Sequence, residues 1–143
     1  MPDDMPDERT VLAFDYGTLR IGVALGNCLI GHARPLEIID TPQKVKRFAR
    51  IEELIVHWQP ETLVVGLPLT PDGGEQPASR QARRFANQLE GRYGLPVSLV
   101  DERGSSMAAQ QIVGNAPDDA VAAAIILQRY FDAPNFSLQE PSP

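Results

Sequence analysis

The chain has 143 residues, enough to bury a substantial core in one domain without disulfides or metal staples. Its formal net charge of −6 argues against a protein that coats nucleic acid non-specifically, because Lys and Arg supply most of such binding. One cysteine and two histidines exclude both an intramolecular disulfide and a Cys/His metal centre. The acidic start is unlike a signal peptide, and no apolar run approaches the roughly 20 residues of a membrane helix. The sequence therefore predicts a cytoplasmic protein with no membrane partner.

Both ends of the chain are rich in proline and polar residues and lack periodicity. Such segments cannot bury enough apolar surface to offset the entropy of ordering them. The pattern predicts a disordered N-terminus at residues 1–9, a folded domain at residues 10–132 and a disordered tail at residues 133–143.

Three short apolar runs open the domain, at residues 11–16, 20–26 and about 29–38. The segments between them, YGT and GNC, are typical of turns, so the three runs predict a meander of antiparallel strands. Residues 41–59 then repeat large apolar side chains at helical spacing. Thr41 is the candidate N-cap of this helix, and Pro42 occupies its predicted first position.

The rest of the domain alternates between strand-like and helix-like runs, with Gly91 and Gly94 predicted to end the second helix. The predicted strands are 61–69 and 95–103, and the predicted helices are 76–94, 107–113 and 117–131. This order predicts an α/β fold: a five-stranded mixed sheet, with a three-stranded antiparallel meander and two parallel strands, covered by helices.

Acidic residues follow two of the predicted strands. Asp15 ends the first strand, and Asp101 and Glu102 end the last one. In an open α/β sheet ligands collect outside the carboxyl ends of the strands, so these acids can converge on one crevice. Each also has a simpler interpretation, because Asp15 suits a tight turn and the other two suit an exposed strand end.

Helical geometry predicts the position of a further acid, Asp119. At 100 degrees per residue it lies on the stripe of the last helix that should face the sheet, which contains Ala122, Ala123, Ile126 and Tyr130. An aspartate in a first turn is also explained by the helix dipole alone. Three clustered carboxylates repel one another, however, and a hard divalent ion such as Mg²⁺ or Mn²⁺ would remove that cost.

Four segments resemble the successive motifs of the YqgF family, also called RuvX, a bacterial branch of the RNase H-like superfamily. They read FDYGTLRIGVALG, VVGLPLTPDGGEQPASRQARRFANQL, PVSLVDERGSS and DDAVAAAIILQRYF. The resemblance covers nearly all of residues 11–131. It implies an RNase H-like fold and a nuclease that acts either on Holliday junctions or on precursor small-subunit ribosomal RNA.

The resemblance also implies roles for particular residues. Asp15, Glu102 and Asp119 correspond to the catalytic acids, which hold two Mg²⁺ or Mn²⁺ ions for two-metal hydrolysis of phosphodiester bonds. Arg20 and Arg103 correspond to substrate-binding arginines. The chain departs from the family pattern in the segment between Glu102 and Asp119, which is shorter than usual and lacks the usual lysines.

The resemblance, together with the three acids, implies a metal-dependent nuclease that processes the ends of precursor small-subunit ribosomal RNA in the cytoplasm. The resemblance alone favours structured RNA as the partner, and branched DNA, ribosomal particles, a monomer and a homodimer all stay open. One alternative is a Holliday junction resolvase, and another is a non-catalytic RNase H-like module that binds nucleic acid. A third, phosphate binding in the style of actin and the sugar kinases, needs a second domain for which the chain has no room.

Overall fold

The computed structural model describes residues 10–102 and 119–133. Five strands form one sheet in the order β3-β2-β1-β4-β5. The strands are β1 (Thr10–Tyr16), β2 (Ile21–Asn27), β3 (His32–Ile39), β4 (Thr62–Leu67) and β5 (Val97–Asp101). The helices are α1 (Lys44–Trp58), α2 (Pro77–Tyr93) and α3 (Asp119–Asp132).

The sheet is mixed, as the sequence predicts. Strand β2 pairs antiparallel with both β1 and β3, whereas β4 pairs parallel with both β1 and β5. The carboxyl ends of β1, β4 and β5 therefore meet at one edge of the sheet, which is named here the carboxyl edge. The predicted fold class is confirmed.

Alternate residues of each central strand face opposite sides of the sheet. On one side, helices α1 and α2 pack large side chains against β1, β2 and β4; this side includes Leu12, Phe14, Val23, Val65, Phe48, Ile51, Phe85 and Leu89. On the other side, α3 packs against a smaller cluster that includes Val11, Ala13, Ala24, Val64, Ala123 and Ile126. The sheet is thus covered on both faces, which agrees with its apolar central strands.

The first helix begins later than the sequence predicts. Thr41 does not cap it, and Pro42 is not in its first turn, because α1 starts at Lys44 with Gln43 in the N-cap position. The Thr41 hydroxyl instead accepts a hydrogen bond from the Gln43 backbone N–H, 3.1 Å away. This local bond forms a turn ahead of the helix, a common use of threonine that competes with capping.

Two other predicted boundaries differ from the structure. Gly91 lies within α2, and only Gly94 ends the helix, with a φ of 68° that suits glycine. Strand β3 starts at His32 rather than near residue 29, because residues 28–31 form a turn closed by the Gly31 N–H and the Asn27 carbonyl. The exposed Leu29 and Ile30 in this turn made it look like part of the strand.

The predicted helix at 107–113 and both predicted disordered ends, apart from residue 133, lie outside the described residues. Within the ranges that the structure describes, no helix combines the length and the apolarity needed to cross a membrane.

Candidate functional site

Asp15 lies at the carboxyl edge, in the central strand β1. It is opposite Gly22 in the antiparallel register, on the side of the sheet that α3 covers. The chain turns sharply after Tyr16, and a Cβ on Gly17 would lie 2.6 Å from the Arg20 carbonyl oxygen. Glycine is therefore required at residue 17 to close the turn that follows Asp15.

Glu102 comes directly after β5 and continues its pairing with β4. Its backbone N–H donates to the Leu67 carbonyl, 3.1 Å away. The carboxylate occupies space beside Gly66 of β4, where an added Cβ would overlap both the Glu102 Oε1 atom and the Ile126 Cδ1 atom. The missing side chain at residue 66 therefore makes room for the Glu102 carboxylate.

Asp119 is the first residue of α3, and its backbone rests directly on strand β2. A Cβ on Gly22 would overlap the Asp119 carbonyl oxygen. The Asp119 carboxylate pairs with Arg20, with 3.3 Å between Oδ2 and Nε, and both side chains are partly exposed. Residues Ala122, Ala123 and Ile126 of the same helix are buried, which confirms the predicted sheet-facing stripe.

The three predicted acids thus lie together at the carboxyl edge, and two of them have raised pKa values. Burial and then the charge of Asp119 raise the pKa of Asp15 to about 6, although a hydrogen bond with Glu102 opposes this shift. Burial and then the charge of Asp15 raise the pKa of Glu102 to about 8, and the positive charge of Arg129 opposes it. A hydrogen bond between two carboxyl groups requires a proton on one of them, and the raised pKa values of Asp15 and Glu102 favour its retention.

A cleft of about 190 Å³ opens at this edge, lined by Asp15, Tyr16, Gly17, Thr18, Leu19, Arg20 and Asp119. Its volume is below that of most small-molecule sites, which start near roughly 300 Å³. The lining contains two carboxylates and one guanidinium but no large apolar surface. These dimensions and charges suit an ion and a phosphate group better than an apolar ligand.

The chemistry of the acids fits a hard divalent cation, since all three offer only oxygen ligands. Their side chains are not in a coordinating arrangement: across residues 10–102 and 119–133, no three Asp, Glu, His or Cys residues form a group that could hold a metal ion. Asp15 is hydrogen-bonded to Glu102, and Asp119 is paired with Arg20. The Arg20 guanidinium thus neutralises part of the negative charge that a metal ion would otherwise balance.

Of the two predicted substrate-binding arginines, Arg20 lines the cleft and Arg103 lies outside the described residues. Sequence reasoning missed Arg129, whose guanidinium donates to the Asp101 carbonyl at 2.8 Å and ties the end of β5 to α3. It also missed the role of Gly22. The alternation of Gly22, Ala24 and Gly26 on one face of β2 is a usable signal, because such a face lets a helix backbone come close.

The arrangement of strands and helices defines the class of protein. The structure is similar to that of Thermus thermophilus RuvC in complex with a Holliday junction substrate, with a TM-score of 0.55 and 21% sequence identity. The match covers 87% of this chain and 94% of that one. At this identity the likeness concerns the fold alone, and it makes the domain an RNase H-like α/β domain.

Residues 9–133 match the RuvX family, which is described as Holliday junction resolvase. A relative from Bordetella petrii is 65% identical over 130 residues, which cover 90% of this chain and 98% of the relative. One from Cupriavidus pinatubonensis is 55% identical over 137 residues, covering 92% and 97%. Both relatives carry the name of a candidate pre-16S rRNA nuclease. The chain belongs to the RuvX (YqgF) family, which confirms the resemblance found in the sequence.

Proposed function

We propose that this protein is a metal-dependent nuclease that hydrolyses phosphodiester bonds at the ends of precursor small-subunit ribosomal RNA. The observation that carries this proposal is the convergence of Asp15, Glu102 and Asp119, from three separate elements, on one edge of the sheet. Desolvated carboxyl groups with raised pKa values are costly to a fold and are concentrated at functional sites. The names of the relatives supply the substrate class.

The three acids are proposed to hold two Mg²⁺ or Mn²⁺ ions. Such a pair activates a water molecule for attack and stabilises the leaving oxygen. Asp15 interacts with both other acids, so it would be the central member of the ligand set. Bound cations would stabilise the charged forms of Glu102 and Asp15 and so would favour loss of a proton from this pair.

The arginine in the cleft has a proposed role that follows from its present partner. Arg20 pairs with Asp119 across 3.3 Å, in a contact that is partly open to solvent and therefore weak. If Asp119 served as a metal ligand, the Arg20 guanidinium would be free to bind non-bridging phosphate oxygens, which match its planar set of donors. Arg103 keeps its predicted part in substrate binding as a further proposal.

RNA is proposed as the substrate because the relatives are named for pre-16S rRNA, and ribosomal precursors in the cytoplasm are then the natural partners. Branched DNA is the second candidate, since the family description is that of a junction resolvase. A resolvase that cuts two symmetric strands would act as a dimer, whereas a nuclease that trims RNA ends can act as a monomer. The oligomeric state in solution therefore helps to separate the two candidates.

The test is a cleavage assay with precursor 16S RNA fragments and with four-way DNA junctions, in Mg²⁺ or in Mn²⁺. Wild-type protein is expected to cleave the RNA, and Asp15→Asn is expected to lose more than about 100-fold in rate, since even changes behind a metal ligand cost 10- to 100-fold. Asp132→Asn is the matched control, because Asp132 is exposed at the far end of α3. Equal cleavage by Asp15→Asn and wild type contradicts the assigned site.

Cleavage of junctions but not of RNA would identify branched DNA as the substrate, and the assignment of the acids would stand. RNA binding without cleavage of either substrate would favour the non-catalytic module over the enzyme.

A further inference from the structure

One buried cation lies directly beneath the turn that follows Asp15. Arg47 of α1 is only 5% exposed, and its guanidinium makes contacts in three directions. Its Nη2 donates to the Gly17 carbonyl at 2.7 Å, and its Nε donates to the Thr41 carbonyl at 2.6 Å. Its Cζ lies 5.4 Å from the centre of the Tyr16 ring.

These contacts are unusual for a buried arginine. The ion pairs found among residues 10–102 and 119–133 do not include Arg47, so two neutral carbonyls and an aromatic ring take the place of a carboxylate partner. Burying a charge in this way costs stability, and apolar side chains of similar volume often replace buried charges without loss. Core packing alone therefore does not explain why an arginine occupies this position.

Two of the three contacts of Arg47 are with residues that line the cleft. Tyr16 and Gly17 directly follow Asp15 in the chain, and both line the cleft. At its other end, the same turn is attached to α3 through the pairing of Arg20 with Asp119. Two contacts thus hold the turn of residues 16–20, one to Arg47 on the α1 side of the sheet and one between Arg20 and Asp119 on the α3 side.

We propose that Arg47 is a positioning residue that fixes the turn of residues 16–20, and thereby the placement of Asp15 and Arg20 in the cleft. It acts through the Gly17 carbonyl and the Tyr16 ring, and it is too deeply buried to contact a substrate. The importance of this placement for activity rests on the proposed function of the cleft. The fork of the guanidinium matters because it reaches two carbonyls at once, whereas a lysine ammonium is a compact point charge.

The test uses Arg47→Lys and Arg47→Met, with Arg50→Met as the matched control. Arg50 is on the same helix, but it is largely exposed and pairs with Glu37 and Glu53 at the surface. Amide hydrogen exchange is measured residue by residue in the full-length protein without metal. Exchange at residues 17–20 is expected to speed up at least tenfold in both Arg47 variants, while amides in the middle of α2 stay at the wild-type rate. Unchanged exchange in the turn overturns the proposal.

The effect of Arg47 on the placement of Asp15 and Arg20 is tested through Mn²⁺ affinity and through kcat and KM in the cleavage assay. Both Arg47 variants are expected to bind Mn²⁺ more weakly and to lose roughly 10- to 100-fold in kcat, the effect of displacing reacting groups by about 1 Å. KM should change little, and Arg50→Met should match wild type. A merely structural role predicts lower thermal stability with unchanged Mn²⁺ affinity and kcat, and that result overturns the positioning role. If the wild type neither binds Mn²⁺ nor cleaves, the proposed function has failed, and the exchange rates still decide whether Arg47 holds the turn.

Discussion

The two faces of the sheet are built from different kinds of side chain. The face under α1 and α2 is filled by large apolar groups, with the Phe14 and Phe85 rings in edge contact at 5.9 Å. The face under α3 has glycine or alanine at the points of closest approach, so that the helix backbone and the Glu102 carboxylate reach the strands themselves. Both faces bury apolar surface, but only the second one carries the acids.

This difference shows how one small domain provides both stability and a site of costly charges. The α1 and α2 face holds the larger cluster of buried apolar side chains, and apolar burial is the main source of stability. Small residues on the α3 face bury less apolar area. They allow the helix backbone and the Glu102 carboxylate to come within contact distance of the strands. Changes on the two faces should therefore separate effects on stability from effects on activity.

Among changes that compare the two faces, the largest effect on activity should come from filling the space at Gly66. In Gly66→Ala the new methyl group would overlap the Glu102 carboxylate and Ile126, so that one of them must move. We expect cleavage to fall by roughly 100-fold, because such displacement of a reacting group is costly. Mn²⁺ affinity, measured by calorimetry, should fall as well.

Gly91→Ala is the matched control for this change, since a Cβ at residue 91 meets nothing within 4 Å. It should keep full activity and gain about 0.5–1 kcal/mol in unfolding free energy, as alanine replaces glycine within a helix. Wild-type activity in Gly66→Ala would show that the α3 face does not need the small residue.

A smaller effect is expected when pH is changed in the absence of metal, and it concerns the free energy of unfolding. The pKa values of Asp15 and Glu102 are raised to about 6 and about 8 in the folded protein, above their ordinary values near 4. The folded state therefore binds more protons than the unfolded state between about pH 4 and pH 8, and the contribution of these two groups to stability falls across that window. The fall in stability is measured by chemical unfolding of wild type and Asp15→Asn at pH 5 and pH 8.

Asp15→Asn should lose less stability than wild type between these two pH values, because it lacks one of the two groups. Added Mn²⁺ should stabilise the wild type more at pH 8 than at pH 5, since the carboxylates are charged at the higher pH. Equal losses of stability in wild type and variant would contradict the assignment of the buried proton to this pair.

The smallest effect is expected from shortening either of two fully buried isoleucines, which lie on opposite faces of the sheet. Ile51 belongs to α1, and Ile126 belongs to α3 beside Gly66. Either change to valine should cost about 0.5–1.5 kcal/mol in unfolding free energy, as loss of one buried methylene usually does. Only Ile126→Val should also alter kcat, by a few-fold, because it loosens the packing around Glu102. A change of kcat in Ile51→Val alone would reverse the comparison.

The sequence was a good guide where local pattern controls structure. Short apolar runs separated by turn residues predicted the strands, and the order of strands and helices predicted a mixed sheet. The helical stripe predicted that Asp119 lies on the sheet-facing side of α3. Local signals misled where a side chain had a competing local bond, as at Thr41, or where apolar residues stand exposed in a turn, as at Ile30. The contacts of Arg47 and the space beside Gly66 depend on residues far apart in the chain. No pattern within one segment reveals such contacts.

The most direct test of the central claim is anomalous diffraction from crystals of the protein soaked in Mn²⁺. We expect anomalous density among the carboxylates of Asp15, Glu102 and Asp119, with Arg20 withdrawn from Asp119. Crystals of Asp15→Asn soaked in the same way should lack this density. Density confined to other acidic residues, or the same density in wild type and Asp15→Asn, would show that these three acids do not form the metal site.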